Sequence, residues 1–280
     1  MQFLERQIQT ITENNLEIIF GLQFVCSEFS TGAFRVDTVA FDPELSSFIL
    51  IEYKKDQSFS IIDQGYAYLS TMLNHKADFI LLYNERTGKS LGKSDFDWSQ
   101  SRVFFISPSF TEYQREAARF KDLPLDLCQV HLYSNNTIGY SMIKQIQSTA
   151  SVKTFSQRSN AIAKVSSEID VYTEERLLEG KDEDIKQAYW AIKDIIQQIN
   201  PDVETRVKKS MVCFYTDGRG LVWVSPASRK ITLFLRKGLY DDRYEKIIPE
   251  GWGKYPELRL SAQEIDLLYV RDLLRQANLK

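Results

Sequence analysis

The chain has 280 residues, 43% of them hydrophobic and 26% charged, which can bury a core and excludes disordered, collagen-like and disulfide-stapled classes. Cys26, Cys128 and Cys213 stand far apart, which excludes a cysteine zinc cluster and suits a reducing compartment. His75 and His131 are the only histidines, so any metal would rely on oxygen ligands. The net charge of −3 divides into 13 Lys+Arg against 18 Asp+Glu in residues 1–150 and 22 against 20 thereafter, so neither half is a basic nucleic-acid arm.

The opening Met1 to Thr10 is polar and has no signal-peptide pattern. The longest apolar run, Phe79 to Tyr83, reads as a core strand too short to span a membrane, and a cytoplasmic soluble protein is expected. In chain order, apolar spacing predicts a helix from Phe3 to Phe20, stopped by Gly21. Strands Gln23 to Phe29, Ala33 to Phe41 and Phe48 to Lys54 follow, turning at Ser30-Thr31-Gly32 and Asp42-Pro43-Glu44. Ser60 caps a helix from Ile61 to His75, with Asp63 as a first-turn charge. Strands near Asp78 to Tyr83 and Arg102 to Ile106, a helix from Thr111 to Phe120 and a hairpin from Leu127 through Ser134-Asn135-Asn136 complete an α/β unit, a mixed sheet with flanking helices.

Gln147 to Ser167, rich in Ser, Thr, Gln and Lys, reads as a linker. Domains are therefore expected at 1–146 and 173–280, joined by 147–172. The second is a small α+β domain: a helix from Glu174 to Asn200, strands Met211 to Thr216, Leu221 to Ser225, Ile231 to Leu235 and Leu258 to Leu260, and a closing helix from Ala262 to Ala277.

Chemistry concentrates in the first half. Strand alternation puts Glu52 and Lys54 on one side of their strand, and a hairpin near Pro43 to Leu45 brings Asp37 opposite Ile51 or Glu52. Asp37, Glu52 and the backbone carbonyl of Tyr53 offer hard oxygen ligands for Mg2+ or Mn2+, and Lys54 can orient a water or stabilise an oxyanion. Gln64 and Tyr68, four apart on the next helix, can bind phosphate or hold Lys54. Two other matches to acid-x-Lys, Glu179-Gly180-Lys181 and Asp184-Ile185-Lys186, lie in polar helical context and lack these neighbours.

Asp37…Glu52-Tyr53-Lys54 followed by Gln64-Gly65-Tyr66-Ala67-Tyr68 resembles the PD-(D/E)xK nuclease superfamily with the QxxxY helix of its RecB-like branch, over roughly residues 1–145. Val36 stands where the family name has Pro. The resemblance implies a restriction-endonuclease-like fold, metal-dependent hydrolysis of nucleic acid, DNA foremost, and a further acidic residue from the preceding helix, best matched by Glu17 and next by Glu13. Gln187 to Ala277 is similar to an uncharacterised domain found fused to such nucleases and labelled a predicted transport protein, a label without a mechanism. That half is expected to bind substrate or a partner, a second copy included.

The alternatives are a catalytically inactive nucleic-acid-binding or regulatory protein on the same scaffold, and RNA as substrate. Arg86 to Ser94 imitates a phosphate loop but lacks the upstream glycine, leaving a basic loop. The cysteines and histidines are read as structural. Arg206-Val207-Lys208-Lys209, Arg229-Lys230 and Arg236-Lys237, beside Tyr215, Trp223 and Phe234, are read as the wet side of a half-buried sheet rather than a nucleic-acid face.

Overall fold

The computed structural model describes all residues except 1–4, 33, 56–59, 121–122, 136, 144–159, 217–218, 252–254 and 280, together with the side chain of residue 262. The chain divides into two units, Met1–Val171 and Tyr172–Lys280. The first contains α1 (Glu5–Asn14), α2 (Leu16–Phe20), β1 (Gln23–Thr31), β2 (Phe34–Asp42), β3 (Ser47–Tyr53), α3 (Ile61–Asn74), α4 (Lys76–Thr87), β4 (Arg102–Ser107), α5 (Glu112–Ala117), β5 (Leu125–Leu132), β6 (Ile138–Met142) and α6 (Asn160–Glu168). Its strands form one mixed sheet in sequence order, parallel at β3–β4 and β4–β5 and antiparallel elsewhere. A parallel neighbour requires a crossover, which α3 and α4 supply between β3 and β4. Ile8, Leu16 and Phe20 of α1 and α2 cover one face, and Leu69 and Met72 of α3 and Phe79 and Tyr83 of α4 cover the other. All seven residues of the central strand β3 are therefore buried, as its apolar run requires.

Local signals place the ends. Gly21 closes α2 in the left-handed conformation at φ 67°, and the Ser60 hydroxyl accepts from the Asp63 amide at α3's start. Thr111 and Gln114 form a reciprocal capping box on α5.

Four expectations are corrected. Asp78 to Tyr83 is helix α4: Phe79 and Tyr83, four apart, are buried while Leu81 between them is 59% exposed, which is helical and not strand periodicity. The opening helix breaks at Asn15, whose side-chain amide bonds to the Ile11 carbonyl before α2 starts. In the stretch read as a linker, Gln147 to 159 lies outside the described residues, but Asn160–Glu168 is helix α6, and its Ile162 and Val165 belong to the first unit's core. Polar composition hid this, since only those two positions of α6 are buried.

The second unit contains α7 (Glu174–Leu178), α8 (Glu183–Ile199), β7 (Glu204–Val207), β8 (Val212–Thr216), β9 (Arg219–Pro226), β10 (Lys230–Leu235), β11 (Ile247–Ile248), β12 (Glu257–Ser261) and α9 (Leu267–Asn278). The fourth correction lies here: the long helix expected from Glu174 is two helices, parted at Gly180 with φ 70°. The strands pair antiparallel in the order β11-β12-β10-β9-β8-β7, and residues of α8 and α9 pack on one face. Among the described residues no helix is long and apolar enough to cross a membrane.

The helical assignment of Phe79 to Tyr83 has a direct test. Phe79→Ala should cost about 3–5 kcal/mol in urea unfolding, whereas Leu81→Ser should stay within about 0.5 kcal/mol. Comparable losses at both positions would restore a strand, where residues 79 and 81 share a face.

Candidate active site

The β2–β3 ladder runs from Asp42↔Ser47 to Thr38↔Ile51 and stops, although both strands continue. At the opening, Oδ2 of Asp37 accepts a hydrogen bond from the Tyr53 backbone N–H at 2.9 Å, where a strand neighbour's carbonyl would otherwise stand. On its other edge β3 stays paired through Glu52↔Phe105 and Tyr53↔Ile106, and the Lys54 amide donates to the Ile106 carbonyl at 2.9 Å. Glu52-Tyr53-Lys54 is thus held from both sides, at the carboxyl end of the strand where the sheet changes from antiparallel to parallel pairing. Crevices outside such strand ends are where open α/β sheets bind ligands.

Glu52 is 6% exposed. Its Oε1 accepts from Lys54 Nζ at 2.8 Å and from Gln64 Nε2 at 3.1 Å. Its Oε2 is buried and has no hydrogen-bond partner among the described residues. Lone buried acceptors of this kind are costly, and a buried carboxylate is normally fully ligated by donors or a cation.

Helix α3 delivers the rest. Gln64 Nε2 also lies 2.8 Å from the Tyr68 hydroxyl, and the Tyr68 ring packs edge-on against Phe34 of β2 with centroids 5.1 Å apart. Between them Gly65 faces Leu125 of β5 so closely that a Cβ there would lie 2.4 Å from a Leu125 methyl carbon. The glycine lets the helix settle against the sheet, and the depth of that contact sets Gln64's reach to Glu52.

Burial pushes the Asp37 carboxyl up to about 6, with Glu52 repelling its charge; the Tyr53 amide opposes this, Glu28 adds to it, and Lys54 draws it back down. Burial, then the Glu52 charge, also raises Tyr68, which stays a neutral phenol. Two carboxylates sharing one spot can be relieved by a proton or by a cation.

Asp37, Glu52, Tyr53, Lys54, Gln64 and Tyr68 therefore converge as expected from their spacing. Glu17 does not: it is exposed on the outer side of α2, and among the described residues no side-chain contact joins it to either acid. The break at Asn15 restarts the helix so that Leu16 and Phe20 face the sheet and Glu17 faces away. Glu13, the second choice, does reach the sheet, accepting from the Thr38 hydroxyl and, at 3.1 Å, from Gln9 Nε2. Three residues were not foreseen. Gln9 Nε2 lies 3.1 Å from the Asp37 carbonyl and 3.4 Å from Glu28 Oε1, and Glu28 Oε2 accepts from Arg35. Glu28 sits within β1 at φ 54°, a conformation that costs a non-glycine residue on the order of 1 kcal/mol or more, and the β1–β2 pairing passes over Glu28 and Asp37. A turn at Ser30-Thr31-Gly32 would set Glu28 opposite Phe34; Ser30 and Thr31 instead stay in β1, opposite Arg35 and Phe34, and this register sets Glu28 opposite Asp37. Among the described residues no group of three or more His, Cys, Asp or Glu side chains forms a ready-made metal cage.

A family model described as a domain of unknown function, DUF5655, matches residues 174–278, within the second unit. A Haemophilus influenzae protein named "Uncharacterized protein" is 37% identical over 282 residues, covering 98% of this chain and 92% of its own length. This chain belongs to the family of that Haemophilus protein. No solved structure matches. The relative's alignment runs through both units, whereas the DUF5655 match falls in the second alone.

In that second unit Lys209, Arg229, Lys230 and Lys237 are exposed, as a wet side requires, but the aromatic residues beside them are not. Tyr215, Trp223 and Phe234 are buried together with Cys213, and Tyr255 covers Trp223 with ring centroids 4.6 Å apart. Arg206 lies over the Tyr215 ring at 4.5 Å and pairs with Glu204. Cys128 and Cys213 are buried and Cys26 half-buried, all three as free thiols. Gly88, in the segment that imitates a phosphate loop, is the left-handed C-cap of α4.

The Asp37 carboxyl predicts a pH dependence. Its folded value of about 6 exceeds the unfolded value near 3.8, so between them the folded chain holds a proton that the unfolded chain has released. Its contribution to stability is intact below about pH 4 and is lost as pH rises through 6. Asp37→Asn keeps an acceptor for the Tyr53 amide and removes the charge. Its melting temperature should therefore exceed wild type at pH 8 by more than at pH 4. A gap independent of pH would remove Asp37–Glu52 repulsion as its source.

Proposed function

We propose that the chain is a metal-dependent nuclease that hydrolyses phosphodiester bonds, with DNA as the first substrate to test and RNA as the second, and that its C-terminal unit binds substrate or a partner. The observation that carries this reading is Asp37 bonded to the Tyr53 amide beside Glu52 at the end of the β2–β3 ladder, with Glu52 Oε2 buried and without a hydrogen-bond partner among the described residues. That orphan oxygen and the raised Asp37 carboxyl fit a divalent cation better than they fit a structural ion pair. Asp37, Glu52 and the Tyr53 carbonyl would hold Mg2+ or Mn2+, which when bound supplies a more acidic water and neutralises charge on the phosphate.

The chain's own residues supply the remaining functions. Asp37, fixed by the Tyr53 amide, presents its carboxylate in a set direction. Gln64 holds Glu52 and is itself positioned by Tyr68. Lys54 carries a positive charge to the same carboxylate oxygen, from where it can orient the water whose oxygen bonds to phosphorus and stabilise the charge that builds on the phosphate. The P–O bond to one sugar then breaks and a proton passes to the leaving oxygen.

The test pairs calorimetric titration of Mg2+ or Mn2+ with cleavage of linear, nicked and single-stranded DNA and of RNA. Wild type should bind the cation and cut, and Glu52→Gln should lose both while keeping its fold. Lys54→Met should still bind the cation and turn over about a hundredfold more slowly. A wild-type protein that binds no cation and cuts no probe would leave the inactive nucleic-acid-binding or regulatory reading.

A further inference from the structure

We propose that Arg35 is a phosphate-binding residue beside the acid pair, aimed by Glu28, and that it grips the nucleic-acid backbone next to the bond to be cut. The inference rests on the nuclease reading above. Arg35 lies on β2 two residues before Asp37. Its Nε donates to Glu28 Oε2 at 2.7 Å, and its Nη2 donates to the same oxygen. Those two bonds use one edge of the planar guanidinium. The other edge, formed by Nη1 and the second Nη2 hydrogen, makes no hydrogen bond among the described residues, and the side chain is 69% exposed. A free two-pronged edge of this kind matches two phosphate oxygens.

Charge favours such a group. Asp37, Glu52 and Glu28 act together on this spot, and Glu28 and Glu52 both influence Asp37. A phosphodiester approaching three carboxylates needs a cation facing outward, and Lys54 is bonded to Glu52. Arg35 feels the charges of Glu28, Asp37 and Glu52, so it stands within their field.

Stability does not account for the arrangement. An exposed ion pair contributes little to folding, and the residue that makes this one, Glu28, also holds an unfavourable φ of 54° within a strand. Gln9 ties the assembly to the acid site, lying within hydrogen-bonding distance of both Glu28 Oε1 and the Asp37 carbonyl. Glu28 is thus a positioning residue, and Arg35 the group that meets the phosphate.

The experiment uses the full chain with fluorescein-labelled linear DNA duplex, and with DNA and RNA single strands of the same sequence. Cleavage in magnesium gives kcat and KM, and anisotropy over a range of salt gives the binding slope. Arg35→Gln should raise KM about tenfold and flatten the salt slope by roughly one charge, with kcat within about threefold and cation affinity unchanged. Arg35→Lys should restore the slope but only part of the affinity, because the charge returns without the fork. Glu28→Gln should weaken binding less than Arg35→Gln. If wild type cuts and Arg35→Gln matches it in KM and slope, Arg35 is ordinary surface charge and this inference alone falls. If wild type neither binds cation nor engages any probe, the nuclease reading falls and takes this inference with it.

Discussion

The Asp37 carboxylate stands in for a strand neighbour. Where the β2–β3 ladder stops, the Tyr53 amide would be left without a partner beside a strand that is buried throughout, and Asp37 supplies it. A backbone donor stranded there would cost about 1–3 kcal/mol, so the bond is structurally required as well as chemically useful. One contact therefore fixes three things: the end of the ladder, the direction of the first acid, and the position of the main chain that carries Glu52 and Lys54. Gln9 holds the same residue from behind through its carbonyl, so Asp37 is constrained at both side chain and backbone.

The second acid depends on packing rather than pairing. Glu52 sits on a strand fed by Phe48-Ile49-Leu50-Ile51, whose burial on both faces leaves little room for adjustment. Its donors come from one step along its own strand face, Lys54, and from across a helix–sheet contact, Gln64. The second arm is only as accurate as the seating of α3, which Gly65 permits against Leu125 and the Phe34–Tyr68 ring contact braces from β2. Residues far from any carboxylate thus set the geometry of the carboxylates.

What was legible in the sequence follows from this division. Period-two alternation and hairpin length are local rules, and they located Asp37 against Ile51 and Glu52 and put Lys54 beside Glu52. The Ser60 cap and the four-residue spacing of Gln64 and Tyr68 are equally local. The failures came where local rules tie or where the tertiary structure decides. Phe79-Ile80-Leu81-Leu82-Tyr83 is apolar throughout, so its period is invisible until burial separates Phe79 and Tyr83 from Leu81. Glu17 rests on the family resemblance alone, and the break at Asn15, whose side chain bonds to Ile11, leaves it exposed while Glu13 reaches the sheet. Helix α6 buries few residues, so composition alone could not distinguish it from a linker. In the second unit, aromatics among lysines and arginines look the same on an open sheet as under Tyr255, and only packing tells them apart.

Several departures from ordinary folding rules in the first unit stand beside Asp37, while others, Ser46 at φ 51° and the buried Asp42 Oδ2, Ser47 Oγ, Ser101 Oγ and Arg102 Nε without hydrogen-bond partners among the described residues, lie elsewhere. Glu28 has a left-handed backbone in the middle of a strand, the pairing skips Asp37 on one side and ends beside it on the other, and Glu52 keeps a buried oxygen without a donor. Each costs stability, and of those beside Asp37 the interrupted β2–β3 pairing is made good by the Asp37 carboxylate at the Tyr53 amide. Stability would be better served by apolar side chains in place of a half-satisfied acid pair. Strain and unmet hydrogen-bonding capacity at a strand end are what a pre-organised binding site requires, because the ligand then supplies the missing partner instead of competing for one already present. On that reasoning the buried oxygen of Glu52, without a donor among the described residues, is the feature that most directly supports the proposed cation.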